Sequence, residues 1–296
     1  MPSICHQCEM NFTPITIEGM ATYEKYLAKQ THRASDFSMG NLWGWAEYYG
    51  LEWCFADHIC WIKQTKPEEC YWAPVGDWRA VDWTKCDWPA GLHFVRVPDD
   101  LLQLWKSILN DRLEITETRG HWDYLYLVSE LAELKGNRFH RKRNHYNQFL
   151  KQYNWRYQNL DTADIPAVLC MQEDWVQWRE DANSPSLLAE NDAVFRVLEN
   201  WERFPTLKGG AVFIDDVMAA YTVAEPLGDT LVIHFEKGHD KYRGIYQAVN
   251  AMFLQHNGDG FIYSNREQDL DDPGLRKAKE SYNPVDYVRK QKARVL

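Results

Sequence analysis

The second half of the chain constrains the fold most, because its hydrophobic period alternates between that of strands and that of helices. Residues 154–160 predict a strand, and two helices follow, around residues 163–180 and 186–203. Three strands come next, separated by short turns: GGAVFID, VMAAYTVAEPL and TLVIHFEKG. The remaining segments predict a helix, a short strand, a helix and a last strand: KYRGIYQAVNAMFLQHN, FIYSN, DPGLRKAKESY and YVRKQKARVL.

The first half of the chain has the pattern of a mixed helix and strand region. Residues 35–50 predict a helix that Ser35 or Asp36 caps and that Gly50 ends. Three segments rich in aromatic and β-branched residues then predict a strand meander whose Trp and Tyr side chains form core: LEWCFA, HICWIKQ and CYWAPVG. Together, the two halves predict an α+β fold in which mixed sheets are flanked by helices.

The element order of the second half is similar to that of the GNAT acyltransferases. In that fold a long strand diverges from its neighbour, and a phosphate-binding loop opens the next helix. The corresponding loop here is EKGHDKYRGIYQAVN, where the N–H groups and dipole of a helix N-terminus favour an anion. The GNAT pattern (Arg/Gln)-x-x-Gly-x-(Gly/Ala) keeps its central glycine here, but a tyrosine replaces the last small residue. The donor-binding residues implied by this resemblance are Lys237, Lys241, Arg243, Gly244, Tyr246 and Asn250.

A basic segment joins the two halves of an otherwise acidic chain. The formal net charge is −10, yet residues 135–151 hold six basic side chains and no acidic one. On a helix, three of them and a histidine form one stripe, which is a candidate anion-binding surface: Arg138, Arg141, Lys142 and His145. Arg143 lies on the flank of the stripe, where it is expected to brace the fold by pairing with an acid. The alternative is a solvated helix face that binds nothing.

A second charged segment, SNREQDLDDPGLRKAKESYNP, follows the predicted strand FIYSN. Sites in α/β folds lie at strand ends, so Asn265 and Glu267 are candidate site residues. Arg276 and Lys279 are further candidate anion ligands, and Tyr282 is a candidate catalytic acid. The alternative is a salt-bridged turn before a capped helix, since ion-pair networks also occur without function.

Composition narrows the protein class. With 45% hydrophobic residues and 14 Trp, the 296-residue chain can bury a sizeable core. Neither a signal peptide nor a transmembrane segment is predicted, so a cytoplasmic location is expected. Seven scattered Cys predict reduced thiols, and Cys5 and Cys8 lack the second pair that a closed zinc site requires. We therefore expect no bound metal.

Several long blocks resemble successive motifs of one family, that of the C-terminal domain of phosphatidylglycerol lysyltransferases in its stand-alone form. The blocks are APVGDW, WDYLY, LKGNRFHRKRNHYNQF, HFEKG, RGIYQAVN and NREQDLDDPGLRKAKESYNP. The resemblance runs from about Met10 to the C-terminus. It implies a bacterial protein with two tandem GNAT-like domains, at residues 10–152 and 153–296, after an extension at residues 1–9.

The resemblance also implies a relation to Fem-type aminoacyl transferases and an activity in aminoacyl or acyl transfer. The lipid-modifying members use an aminoacyl-tRNA donor and add an amino acid to phosphatidylglycerol. The chain has no counterpart of their membrane-spanning part, so the acceptor stays open. Aminoacyl-tRNA and an anionic lipid surface are the implied partners, with a location peripheral to the inner membrane face.

Three functions from different classes are open at this point. The first is an aminoacyl-tRNA-dependent acyltransferase, the second a CoA-dependent N-acyltransferase, and the third a non-catalytic binding protein on the same fold. No cofactor other than the acyl donor is expected. For catalysis, Glu267 or Glu236 is the candidate base. Tyr282 is the candidate acid, because a Tyr after the strand-end Asn, here Asn265, has that role in GNAT enzymes.

Overall fold

The computed structural model describes residues 10–178 and 184–296. The chain divides into two compact units. Unit 1 contains the residues up to Asp123 together with Gln268–Asp272 and Val288–Leu296. Unit 2 contains Tyr124–Glu267 and Pro273–Tyr287. The predicted extension at residues 1–9 lies outside the described residues, as do residues 179 and 180 of the predicted helix 163–180.

The regular elements of the first part of the chain belong to unit 1. Its helices are α1 (Met20–Leu27), α2 (Met39–Gly44), α3 (Ala46–Tyr49) and α4 (Asp99–Leu109). The strands that alternate with them are β1 (Thr13–Pro14), β2 (Leu51–Phe55), β3 (Ile59–Gln64), β4 (Cys70–Gly76), β5 (His93–Pro98) and β6 (Leu113–Thr116).

The later elements form unit 2, apart from the last strand. The helices are α5 (Val128–Glu133), α6 (His140–Gln152), α7 (Ile165–Gln177), α8 (Pro185–Leu198), α9 (Ile245–Asn257) and α10 (Pro273–Glu280). The strands are β7 (Asp123–Leu127), β8 (Trp155–Asn159), β9 (Lys208–Ile214), β10 (Val217–Leu227), β11 (Thr230–Gly238), β12 (Tyr263–Asn265), β13 (Asp286–Val288) and finally β14 (Lys290–Val295). The strands and helices predicted for the second half are thus present.

Unit 1 is built on a sheet with the order β1-β2-β3-β4-β5-β14-β6. The predicted meander corresponds to β2, β3 and β4, and its Trp side chains are buried as expected, whereas Tyr71 is half-buried. Trp61 and Trp72 are 2% exposed, and Trp105 of α4 is fully buried with its ring 4.7 Å from that of Phe94. The packed rings bury the apolar face of the sheet, which provides most of the stabilisation.

The observed division differs from the predicted boundary between residues 152 and 153. Strand β7 pairs antiparallel with β12, so the sequence from Tyr124 onward, including the basic helix α6, belongs to unit 2. Strand β14 pairs with β5 and β6, so the end of the chain belongs to unit 1. Hydrogen-bond partners decide which unit a strand joins, and these partners are distant in sequence.

Unit 2 is built on a second sheet with the order β13-β7-β12-β11-β10-β9-β8. Strands β11 and β12 are parallel, but their pairing covers only Thr230–Val232 against Tyr263–Asn265. Strand β11 continues to Gly238 while it stays paired with β10. The second half of β11 therefore diverges from β12, as expected for a GNAT-like domain. Helices α6 and α9 pack together over this sheet, around Phe149, Ile245 and Val249.

Candidate functional site

A β-bulge in β11 sets the direction of the side chains in the diverging half of the strand. Val223 pairs with Phe235 and Ala224 pairs with Ile233, so His234 is an extra residue on β11. Before the bulge, Ile233 packs in the core beneath α9; after it, Glu236 accepts a hydrogen bond from Asn250 of α9. A bulge shifts the alternation of a strand by one residue, and this shift turns Glu236 toward α9.

Glu236 belongs to a group of polar side chains that we call the Arg266 cluster: Glu236, Asn250, Arg266 and Tyr282. Glu236 Oε1 lies 2.6 Å from Arg266 Nη2, and its Oε2 lies 3.2 Å from Asn250 Nδ2. The Arg266 guanidinium lies 4.8 Å from the centre of the Tyr282 ring. Burial alone would lower the pKa of Arg266, but the Glu236 carboxylate together with Tyr282 and Tyr126 raises it. Arg266 is therefore a permanent cation inside the unit.

Tyr282 keeps its proton and has it available for donation. Its side chain is 5% exposed, and burial raises the pKa of the phenol although the nearby Arg266 opposes the shift. Gln247 Nε2 donates to Tyr282 Oη at 3.1 Å. Within residues 10–178 and 184–296, the Tyr282 hydroxyl donates no hydrogen bond. A phenol in this state is a hydrogen-bond donor or acid that lacks an acceptor.

Three further polar atoms beside the diverging strands are buried without a hydrogen-bond partner among the described residues. They are Arg266 Nη1, Asn250 Oδ1 and Ser264 Oγ. Nearly all buried polar groups in proteins are hydrogen-bonded, because an unmade bond costs about 1–3 kcal/mol. Donors and acceptors left open beside a strand separation are therefore expected to meet a ligand or water.

A cavity of about 570 Å³ lies in unit 2 at the start of helix α6. It is lined by Asn137, Arg138, His140, Arg141, Lys142, His145 and Ser281. The helical stripe predicted from sequence is thus one wall of a cavity. The anion-binding role of its four residues stays a prediction.

The cations of this cavity differ in how far their charge is compensated. Arg138 forms an ion pair with Glu130. Arg141 is exposed, and within the described ranges it forms no hydrogen bond or ion pair. Lys142 has no acidic partner there either, and its Nζ lies 3.9 Å from the centre of the Tyr282 ring. Burial, assisted by the charge of Arg266, lowers the pKa of Lys142 to about 8. Lys142 therefore connects the cavity to the Arg266 cluster.

Arg143 braces the fold as expected, but with a different partner. Its Nη1 donates to the carbonyl oxygens of Leu134 at 2.7 Å and Gly136 at 3.0 Å. Leu134 follows the last turn of α5, where carbonyl groups lack helical partners. The guanidinium meets that need, so the expected pairing of Arg143 with an acid is wrong.

The predicted donor loop at Gly244 is filled by the protein itself. Gly244 has φ +89°, and a Cβ atom there would lie 2.5 Å from the His145 carbonyl oxygen of α6. Nearby, Arg243 N–H donates to Tyr153 Oη at 3.1 Å, and Tyr246 Oη donates to the Gly238 carbonyl at 3.0 Å. Gly244 therefore allows α6 to approach α9, and its role in binding a donor stays a prediction.

The two lysines of the predicted donor set lie apart from the Arg266 cluster. Lys237 is buried on the opposite side of β11, where its Nζ lies 2.8 Å from Glu190 Oε1 and 4.0 Å from the centre of the Trp175 ring. Lys241 is exposed and contacts the Tyr242 ring. Asn250 is the member of that set which the structure brings into the cluster.

Glu267 and Asn265 form a second arrangement, centred on His234. Glu267 Oε1 lies 2.9 Å from His234 Nδ1, and Glu225 Oε2 lies 3.2 Å from His234 Nε2. Burial alone would lower the pKa of His234, but the two carboxylates raise it to about 9. Asn265 Oδ1 accepts the Glu267 N–H at 2.8 Å. Glu267 is thus held in an ion triad, away from the Arg266 cluster.

The remaining predicted anion ligands lie on α10. Lys279 Nζ donates to the Arg266 carbonyl at 2.6 Å, which holds the segment that carries the guanidinium. Arg276 is half-buried, and neither residue lines the cavity. Sequence reasoning missed Arg266 and Gln247. The signal for Arg266 was its position between two predicted site residues, Asn265 and Glu267.

Two structural features are absent from the described residues. No helix in residues 10–178 and 184–296 combines the length and apolar character needed to cross a bilayer. In the same ranges, no group of three His, Cys, Asp or Glu side chains is placed to hold a metal ion. Cys5 and Cys8 lie outside these ranges.

The chain is similar to known proteins in both sequence and structure. The chain is similar to a crystal structure of a conserved protein of unknown function from Bacteroides thetaiotaomicron, with 29% identity and a TM-score of 0.90 over 97% of this chain and 100% of that one. An uncharacterized protein of Mycoplasmoides gallisepticum is 24% identical over 176 residues, which are 59% of this chain. The match spans about half of that relative, or 56% of its length.

More distant structures show the fold. The structure of L-PGS from Bacillus licheniformis has 11% identity and a TM-score of 0.64, covering 97% of this chain and 94% of that one. A tandem GNAT protein from the clavulanic acid biosynthesis pathway has 10% identity and a TM-score of 0.50, covering 97% and 98%. The predicted α+β fold with tandem GNAT-like domains is confirmed. The model of the family "Phosphatidylglycerol lysyltransferase, C-terminal" matches residues 28–294, and the chain therefore belongs to that family.

Proposed function

We propose that the protein is an acyltransferase that moves an aminoacyl group from an aminoacyl-tRNA to an amine or hydroxyl acceptor, and that unit 2 carries the reaction. The observation that carries this proposal is the contact between Lys142 and Tyr282, 3.9 Å from ammonium nitrogen to ring centre. It joins a cavity lined by cations to a buried cluster with open hydrogen-bond donors. Family membership supports the reaction class.

In this proposal the cavity takes a phosphate of the donor and the Arg266 cluster takes the reacting ester. The acceptor attacks the carbonyl carbon, so that a new C–N or C–O bond forms. The open Arg266 Nη1–H stabilises the developing oxyanion, as a preorganised donor in a buried site does effectively. The C–O bond of the ester then breaks, and Tyr282 gives its proton to the leaving oxygen.

The contacts of Gly244 favour aminoacyl-tRNA over acyl-CoA as the donor. A CoA pyrophosphate in a GNAT domain would need the N-terminus of α9, because helix N–H groups bind anions there. In this chain the backbone of His145 lies against Gly244, and Tyr246 is bonded to Gly238. Arg141, which has no acidic partner among the described residues, lies instead in the α6 cavity, and this supports phosphate binding at that place.

The test is a transfer assay with a mixture of radiolabelled aminoacyl-tRNAs, phosphatidylglycerol vesicles and small amines, run in parallel with labelled acetyl-CoA. We expect protein-dependent loss of label from tRNA with product on an acceptor. Tyr282→Phe should lower the rate about 100-fold, the usual contribution of a positioned acid. Tyr48→Phe, which changes an exposed tyrosine of unit 1, is the matched control.

Results that contradict the proposal would distinguish the alternative functions. Transfer from acetyl-CoA without transfer from tRNA would replace this proposal by the CoA-dependent alternative. Binding of tRNA without transfer would favour a non-catalytic protein on this fold. Equal rates for wild type and Tyr282→Phe would remove the acid from the scheme.

A further inference from the structure

Lys142 is surrounded by an unusual set of groups for a lysine. It is half-buried in the cavity wall, and the face of the Tyr282 ring lies against its amine. The charged and titratable groups around it are the Arg266 guanidinium, the Arg138–Glu130 pair, Arg141, His140 and His145. Among the described residues no carboxylate pairs with it. Both burial and the nearby guanidinium favour its neutral form, and the pKa of about 8 expresses this.

The neighbouring residue Arg141 offers a direct contrast. It lines the same cavity but is exposed, and a guanidinium does not lose its proton in proteins. Two adjacent residues of α6 therefore provide different chemistry. Arg141 carries a permanent charge that suits a phosphate, whereas Lys142 carries an amine that can accept a proton near neutral pH.

The two glutamates predicted as bases are both engaged elsewhere. Glu236 is ion-paired with Arg266 and hydrogen-bonded to Asn250. Glu267 is held by His234. Removing either carboxylate from its partner would leave a buried charge uncompensated. Lys142 lines the cavity and also contacts the candidate acid, Tyr282.

We propose that Lys142 is the general base of the transfer reaction and takes the proton of the acceptor nucleophile; this inference rests on the proposed function. The acceptor N–H or O–H proton moves to the neutral amine as the new bond to the carbonyl carbon forms. The ester C–O bond then breaks, and the Tyr282 proton goes to the leaving oxygen. Transfer of the Lys142 proton, through solvent, to the Tyr282 phenolate returns both groups to their starting states.

The first measurement needs no activity. Competitive acetylation by trace acetic anhydride, with peptide mass spectrometry, gives the titration midpoint of each lysine amine in the full chain. We expect the midpoint for Lys142 near pH 8, with exposed Lys151 on the same helix as the internal reference. A midpoint for Lys142 that coincides with that of Lys151 would overturn the inference.

The second measurement is the single-turnover transfer rate across the same pH range. For wild type, the rate should rise with pH and level off above about pH 8, because the neutral amine is the active form. Lys142→Arg keeps a cation but removes the base, so the rate should fall about 100-fold or more with donor affinity changed less than about 3-fold. Lys142→Met gives the same loss without a charge, and Lys151→Arg is the control; melting temperatures verify folding.

The outcomes separate this inference from the function on which it rests. Wild type that transfers while Lys142→Arg keeps its rate and pH profile would overturn the role of Lys142 alone. Wild type that transfers nothing would overturn the proposed function and this role with it. A rise of the transfer rate with pH that is lost in Lys142→Arg and Lys142→Met, but kept in Lys151→Arg, supports both the proposed function and the role of Lys142.

Discussion

Each unit holds a buried group of charged side chains, and the two groups differ in how completely their charges are paired. In unit 1, Lys290 is fully buried between two carboxylates, those of Asp36 and Asp123, and Asp123 Oδ1 lies 2.6 Å from its Nζ. Arg96 Nε lies 2.8 Å from Asp36, with its guanidinium 4.0 Å from the centre of the Trp72 ring. Two cations, Arg96 and Lys290, are thus paired with two carboxylates, and we interpret the group as a structural ion cluster.

The Arg266 cluster of unit 2 and its cavity lack this balance. Glu236 pairs with Arg266, but Lys142 and Arg141 have no acidic partner among the described residues. Three buried polar atoms there lack hydrogen bonds, and the cavity adjoins them through Tyr282. The difference between the two groups indicates that buried charge alone does not identify a functional site. Incomplete pairing beside a cavity does, because a ligand can supply what is missing.

The largest expected effect on stability comes from disrupting the fully paired ion cluster of unit 1. Lys290→Met leaves Asp36 and Asp123 buried without their cation, so unfolding should become easier by about 3–5 kcal/mol. Lys292→Met on the same strand changes an exposed lysine and should stay within about 0.5 kcal/mol. Chemical denaturation of both variants measures the difference, and equal stability would show that the cluster is not structural.

The triad of His234, Glu225 and Glu267 should make the stability of the protein depend on pH. The pKa of folded His234, about 9, lies above the ordinary value of 6.5, so folding is favoured by the bound proton. This stabilisation is complete below about pH 6.5 and is lost as the pH rises to about 9, with an upper size of about 3 kcal/mol. Denaturation curves across this pH range should show that the stability advantage of wild type over His234→Gln decreases as the pH rises.

Lys142 acts in the opposite direction at higher pH, because the pKa of its folded form lies below its ordinary value. The comparison of wild type with His234→Gln removes that contribution, which both proteins share. Parallel stability curves for the two proteins between about pH 6.5 and about pH 9 would contradict the assigned charge of His234.

Gly244 tests whether the α9 N-terminus is packed or open to a ligand. Gly260 is its matched control, since both have positive φ, near +89° and +84°, but a Cβ atom at Gly260 meets nothing within 4 Å. Gly260→Ala should cost about 1 kcal/mol for backbone strain alone. Gly244→Ala should cost about 1–3 kcal/mol more, because its methyl group meets the His145 carbonyl. Equal costs would mean that α6 yields and the loop can open.

The smallest stability effect separates two arginines of helix α6. Arg143→Gln removes the donor to the Leu134 and Gly136 carbonyls and should cost about 1–2 kcal/mol. Arg141→Gln removes an exposed side chain without a partner in the described structure and should cost less than about 0.5 kcal/mol. Thermal melting of the two variants decides, and the reverse order would exchange the roles assigned to them.

Sequence periodicity predicted the elements of the second half and the stripe on α6, because both depend on neighbours within a few residues. It could not predict the ion cluster of unit 1. Asp36 was expected to cap a helix, yet its partner Lys290 lies 254 positions away. It also missed the break at Trp45, which divides residues 35–50 into α2 and α3, although Gly50 ends α3 as expected with φ +56°.

The candidate site was predictable in part. Glu236, Asn250 and Tyr282 were named from family motifs. The structure brings Glu236 and Tyr282 to one guanidinium, and Asn250 donates to Glu236. Their meeting depends on the bulge at His234, and nothing in the local pattern TLVIHFEKG marks an extra residue. Glu267 carried as much sequence signal as Glu236 but is bonded to His234 instead. Side-chain direction within a strand was therefore the missing information.

The central claim is that Arg141, the exposed cation of the α6 cavity, binds a phosphate of the anionic donor. The most direct test is the affinity of aminoacyl-tRNA for wild type, Arg141→Gln and Lys135→Gln across a range of salt concentration. Lys135 is exposed and paired with Glu133, which makes it the matched control. We predict that Arg141→Gln lowers the slope of log affinity against log salt by about 0.7 to 0.9, the value for one lost phosphate contact, while Lys135→Gln keeps it. An unchanged slope in Arg141→Gln would contradict the claim and leave the stripe a solvated helix face.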